Sequence, residues 1–97
     1  MPSKSFRFHP DAEREFAEAA AWYQERAGLA LDFITAVRNR IEEVREAPHR
    51  WRLVHGVRRA FVGRFPYAIV YREASDNALE ILAVAHFKRR PAYWSQR

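Results

Sequence analysis

Arg58, Arg59, Arg64, His86, Lys88, Arg89, Arg90 and Tyr93 are the side chains whose types suit chemistry on an anion. A guanidinium fork holds a phosphate or carboxylate through parallel hydrogen bonds. Histidine and tyrosine can donate or accept protons. Gathered at one end of a sheet, such groups suit metal-free RNA cleavage, with an arginine stabilising the phosphate and a base activating the 2′-OH. They suit simple phosphate binding, or docking of an acidic peptide, equally well. Arg58 and Arg59 are neighbours on an expected strand, so they point to opposite faces. The stretch HFKRRPAYW, 86–94, ends on Tyr93 and Trp94. Two large aromatics beside a run of cations fit either packing of the tail or contact with a partner.

Other chemistries find less support. His9, His49, His55 and His86 include no pair at helical metal-site spacing, and there is no cysteine, so no metal is expected. Gly28, Gly56 and Gly63 are scattered and form no phosphate-cradling loop. Ser3, Ser5, Ser75 and Ser95 fall in tails or turns, which leaves a Ser-His-Asp triad without a basis. No cofactor is expected.

The charge is unevenly distributed. Residues 1–47 carry seven Lys/Arg and nine Asp/Glu, while residues 48–97 carry ten Lys/Arg and three Asp/Glu. The second half therefore has a balance of +7 and calls for an anionic partner, nucleic acid or an acidic protein segment. Fifteen of the seventeen basic residues are arginine, which a GC-rich genome alone would also produce, but such a bias should not respect a boundary at residue 47. No apolar stretch approaches the roughly 18 to 20 residues of a membrane span, and MPSKSFRFHPDAE lacks the apolar segment of a signal peptide. A cytoplasmic protein is the plain expectation.

The 97 residues suit one domain with one core, 1–97. Ser5 to Phe8 reads as a strand. Pro10 and the acidic first turn start a helix, with Ala12, Phe16, Ala19 and Tyr23 on its apolar face and Trp22 widening that face. Gly28 stops it. A second helix runs from about Leu29 to Ala47 on Ala30, Ile34, Val37, Ile41 and Val44, and Pro48 ends it. The short joint makes the two an antiparallel hairpin. Strands follow at Val57 to Val62, Tyr67 to Arg72 and Leu79 to Phe87, with EASDNA (73–78) as the last turn, forming an antiparallel meander. The last strand is apolar on both alternating sets: Ile81, Ala83 and Ala85, then Leu82 and Val84. It is a central strand, covered by the hairpin on one face and by Tyr93 and Trp94 on the other. The class is α+β: an N-terminal strand and a helix hairpin packed on a three- to four-stranded, mainly antiparallel sheet.

The strings RRAFVGRFPYAIVYR and LEILAVAHFKRRPAYWSQR resemble the RelE/ParE superfamily of bacterial type II toxins, as does FHPDAEREFAEAAAWYQERAGLALDFITAV. The resemblance implies a cytoplasmic toxin that inhibits growth and is neutralised by a cognate acidic antitoxin in a toxin–antitoxin hetero-oligomer. The superfamily divides by target. RelE-like members cut mRNA on the ribosome without a metal; on that branch Arg64 and Arg90 would hold the phosphate, and Tyr93 or His86 would handle protons. ParE-like members bind DNA gyrase instead; on that branch Arg58, Arg59, Arg64, Lys88, Arg89, Arg90 and Trp94 would form a target- or antitoxin-binding surface. The Lys-rich patch of the ribonuclease branch is missing, since Lys4 and Lys88 are the only lysines. Arg-Phe-Pro-Tyr also departs from the nuclease spacing, and FPYAIVY and HFKRRPAYW are closer to the ParE-like side.

Overall fold

The computed structural model describes residues 3–75 and 77–97. The order is β1 (Ser5–Phe8), α1 (Pro10–Ala27), α2 (Ala30–Glu46), a 3-10 turn (Pro48–Arg50), β2 (Leu53–Val54), β3 (Val57–Phe61), β4 (Tyr67–Ser75) and β5 (Ala78–His86). The sheet order is β1-β5-β4-β3-β2. β1 lies parallel to β5 and every other pairing is antiparallel. The expected α+β class holds. The sheet has five strands because Val54-His55-Gly56-Val57 makes a two-residue hairpin and adds β2. Both loop residues have positive φ, 51° at His55 and 81° at Gly56, the backbone that a tight hairpin requires.

The helices begin and end where local chemistry says they should. His9 Nδ1 accepts from the Asp11 N–H at 3.0 Å, capping α1, and Pro10 occupies its first turn. Gly28 adopts the left-handed conformation (φ 66°) and its N–H returns to the Gln24 carbonyl. α2 buries Phe33, Val37, Ile41 and Val44. Phe33, absent from the expected face, is its largest core residue and meets Phe16, Tyr23, Phe65 and Tyr67 at ring distances of 5.0–6.0 Å. Trp22, expected on the apolar face, instead stays 49% exposed with Arg26 stacked on it.

β5 is covered on both faces, but not in the expected alternation. Tyr71 pairs with Ile81 and Val70 with Ala83, so Leu82 is the extra residue of a β-bulge. The bulge shifts the phase. Leu79, Ile81 and Val84 face the helices, whereas Leu82, Ala83 and Ala85 pack with Val70, Val57, Tyr93 and Trp94 on the other side. The tail, residues 87–97, thus covers the face that the hairpin leaves open. β4 and β5 extend to Ser75 and from Ala78, which narrows the turn expected over 73–78; residue 76 of that turn lies outside the described residues.

Tyr71 is fully buried, and its hydroxyl donates to the Pro48 carbonyl at 2.7 Å, tying the end of α2 to the sheet. Tyr71→Phe strands that carbonyl without its donor and should cost about 1–3 kcal/mol. Urea denaturation with an unchanged m-value would show it.

Candidate functional site

β1 pairs with β5 only along Ala78 to Ile81, so the rest of that edge of β5 lacks a strand. Two side chains stand in for one. The Val84 N–H donates to Glu15 Oε1 of α1 at 3.1 Å, and the carbonyl of the bulge residue Leu82 accepts from Arg97 Nη1 at 2.8 Å. Glu15 and Arg97 join each other through paired hydrogen bonds of 3.0 and 2.8 Å. Their side chains are only 9% and 11% exposed. The bidentate geometry and the two backbone partners offset the desolvation of both charges. Asp11 adds a contact of 3.6 Å to Arg97. An ion pair therefore fastens helix, strand edge and tail together.

Tyr93 lies inside this clasp. Arg89 and Arg97 both lie over its ring, at 3.9 and 5.1 Å from the ring centre. Its hydroxyl is buried beside Glu15 without the geometry of a hydrogen bond. Burial first, and then the neighbouring carboxylate, raise its pKa above the ordinary phenol value, against the lowering pull of the two guanidinium groups. Glu15 in turn raises the pKa of Arg97.

On the tail side of the sheet runs an open groove of about 810 Å³. Val57, Arg59 and Phe61 of β3 line it by strict alternation, and Phe87, Trp94 and Arg52 join them. Among the described residues no Asp or Glu lines it. Arg59 lies over the rings of Phe61 and Trp94, at 5.8 and 6.0 Å. Phe61 and Phe87 meet edge to face at 5.4 Å while staying 54% and 51% exposed. On the helix side, a smaller pocket of about 530 Å³ has Trp22, Tyr23, Tyr67 and Glu18 in its wall. His86 and Arg89 border both. Among the described residues no three His, Asp or Glu side chains converge as metal ligands would, and no helix is long and apolar enough to cross a membrane.

The profile of the family described as "ParE toxin of type II toxin-antitoxin system, parDE" matches residues 6–91. The chain belongs to the ParE toxin family. A solved structure titled "Chromosomal ParDE TA system from P. aeruginosa" superposes with a TM-score of 0.73 at 17% identity, covering 87% of this chain and 96% of the other. That likeness establishes the shared fold. A search of curated proteins gives no match.

Within this ParE-family chain the sequence-based candidates separate into groups. Arg59, Arg89 and Trp94 line the groove, with Tyr93 and His86 at its border. Lys88 and Arg90 stand exposed at the sheet end, with no side-chain partner among the described residues. Arg58 faces the other way and donates to the Trp51 carbonyl at 2.6 Å. Arg64 sits on the helix side, paired with Asp32 of α2 at 3.1 Å and stacked on Phe65. His86 packs edge-on against Tyr67, and its Nδ1 accepts from the Lys88 N–H at 3.0 Å. Arg64 and Tyr93 thus belong to opposite faces of the sheet. Sequence reasoning missed the Glu15–Arg97 pair, since Glu15 counted only as a favourable charge at the start of α1 and Arg97 as one more cation of the basic half. An acidic residue between Ala12 and Ala19 on the buried stripe of α1 was the available signal. It also missed Phe61 and Phe87, because an exposed phenylalanine looks like a core residue in a sequence.

Two measurements bear on the clasp. Arg97→Ala leaves Glu15 buried with one backbone donor, whereas Glu15→Gln leaves an arginine able to turn to water. Both should destabilise, and Arg97→Ala more, by up to about 3–5 kcal/mol in chemical denaturation. Alkaline titration tests the phenols. Tyr23, Tyr67, Tyr71 and Tyr93 all have pKa values raised above 10.0, chiefly by burial, with Tyr71 pushed up to about 12. A phenol whose folded pKa is raised contributes stability below the unfolded value. That stability is lost as pH rises from 10 through the folded pKa, because the unfolded chain ionises first. Phenolate absorbance of the native protein should lag behind that of the urea-unfolded chain, and stability should fall above pH 10.

Proposed function

We propose that this ParE-family toxin arrests growth in the cytoplasm by binding a protein target, DNA gyrase, and that an acidic cognate antitoxin neutralises it in a hetero-oligomer. The observation that carries the binding reading is how differently proton-handling groups and cations are placed. Tyr93 is half-buried, with its hydroxyl buried, two guanidinium groups over its ring and its pKa raised, and Arg64 is paired with Asp32 on the opposite face. Neither is placed to share one scissile phosphate with the other. Lys88 and Arg90 stand exposed at the sheet end, their side chains without a partner among the described residues, beside a groove that no described Asp or Glu lines. A basic rim of this kind steers an anionic surface and speeds docking, while apolar contacts hold it.

Parallel labelling of DNA and protein synthesis minutes after induction distinguishes the targets. DNA synthesis should collapse first while translation continues. Early collapse of translation would overturn the gyrase reading in favour of the RelE-like alternative, a ribonuclease acting on ribosome-bound mRNA. Lys88→Glu with Arg90→Glu reverses exposed cations that have no side-chain partner among the described residues, so the fold should survive. Association with purified antitoxin at low salt should slow roughly tenfold or more. Tyr93→Phe should keep full toxicity.

A further inference from the structure

We infer that the tail-side groove binds single-stranded nucleic acid, with its guanidinium groups on the phosphates and its exposed phenylalanine rings against the bases. The proposal stands apart from the gyrase reading, since it concerns a ligand of the groove and not the target of the toxin.

Charge selects an anion first. Arg52 and Arg59 reach the groove, and among the described residues no carboxylate or carbonyl is bound to either. Arg72, Arg89 and Arg97 also line it, but Glu80 is bound to Arg72, and Glu15 is bound to Arg97 and lies 4.0 Å from Arg89. The two unmatched guanidinium groups give the groove its field.

The aromatic surface then selects among anions. Phe61 ends the tail face of β3 opposite Ala68 of β4, and Phe87 follows the end of β5. A small residue between them leaves both rings standing above the sheet, each more than half exposed. An acidic peptide needs cations and a pocket for one anchor. A single strand of nucleic acid needs cations along its backbone and flat aromatic faces for its bases, and stacking accepts any base. Arg59 lies over Phe61 and Trp94. A guanidinium beside aromatic rings can still offer its N–H groups to a phosphate. An antiparallel sheet that carries exposed aromatics beside arginines is a known physical solution for holding unstacked bases. A duplex hides its base faces and would use only the cations.

The test is fluorescence anisotropy of the full chain with a fluorescein-labelled oligothymidylate of about 12 nucleotides, its oligouridylate equivalent, and polyglutamate of similar length as the anionic control. Both oligonucleotides should bind, and more tightly than polyglutamate at equal salt. Phe61→Ala with Phe87→Ala should weaken oligonucleotide binding about tenfold or more while leaving the salt dependence alone. Arg52→Ala with Arg59→Ala should flatten the slope of log K against log salt by about 1.4, two contacts at about 0.7 each. All four side chains are exposed, so thermal melting should confirm intact folds. Polyglutamate binding as tightly as the oligonucleotides, or affinity unmoved by the phenylalanine changes, overturns the proposal in favour of an acidic peptide. Absence of oligonucleotide binding at low salt overturns it outright.

Discussion

The Glu15–Arg97 pair closes a strand edge that the chain leaves unfinished. β1 is too short to cover β5, and a central strand with bare N–H and C=O groups would be costly in the interior and adhesive at the surface. Glu15 and Arg97 supply one acceptor and one donor where a longer β1 would have supplied its backbone. A longer strand would have sealed the edge without attaching anything else. Side chains from α1 and from the tail seal it and also fix where both go. Arg97 holds the tail across Leu82, Ala83 and Ala85, and the tail holds Tyr93 and Trp94 at the groove wall.

The bulge at Leu82 makes this arrangement possible. Without the extra residue, Ala83 would face the helices and Val84 the tail. With it, Val84 packs in the main core while its N–H points along the sheet to Glu15, and the Leu82 carbonyl points to Arg97. A shift of one position along β5 thus exchanges a valine for an alanine on each face. The tail side receives the two small residues. That is what room for two aromatic rings close to the sheet demands.

The elements were legible because they rest on local rules: apolar periodicity, Pro10, Gly28, Pro48 and alternating strands. Tyr93 and Trp94 as cover for the second face were also legible, since a strand apolar on both sides needs two lids. The bulge was not, because alternation in an all-apolar run has no polar residue to mark the phase. Phe33 and Ile34 compete for one face of α2, and only the aromatic cluster around Phe65 and Tyr67 decides between them. That cluster also explains much of FPY: Phe65 is core and Tyr67 packs against it. Glu15 and Arg97 are 82 residues apart, so no local pattern joins them. For the candidate site, residue types pointed to a basic surface, but only the fold shows that Arg58 and Arg64 turn away from it.

The charge surplus of the second half, +7 by composition, overstates what a partner meets. Arg58 is tied to a carbonyl, and Arg50, Arg64, Arg72 and Arg97 are paired with carboxylates. Arg89 lies 4.0 Å from Glu15 and over the Tyr93 ring. Among the described residues of that half, Arg52, Arg59, Lys88 and Arg90 remain without such a partner. Arg52 and Arg59 stand in the groove and Lys88 and Arg90 at the sheet end. Several of the paired arginines still matter, because they build the wall on which the unmatched ones stand. Long-range attraction follows the net field of the whole half, but close contact with the anion proposed for the groove would fall to this smaller set and the aromatic rings between them.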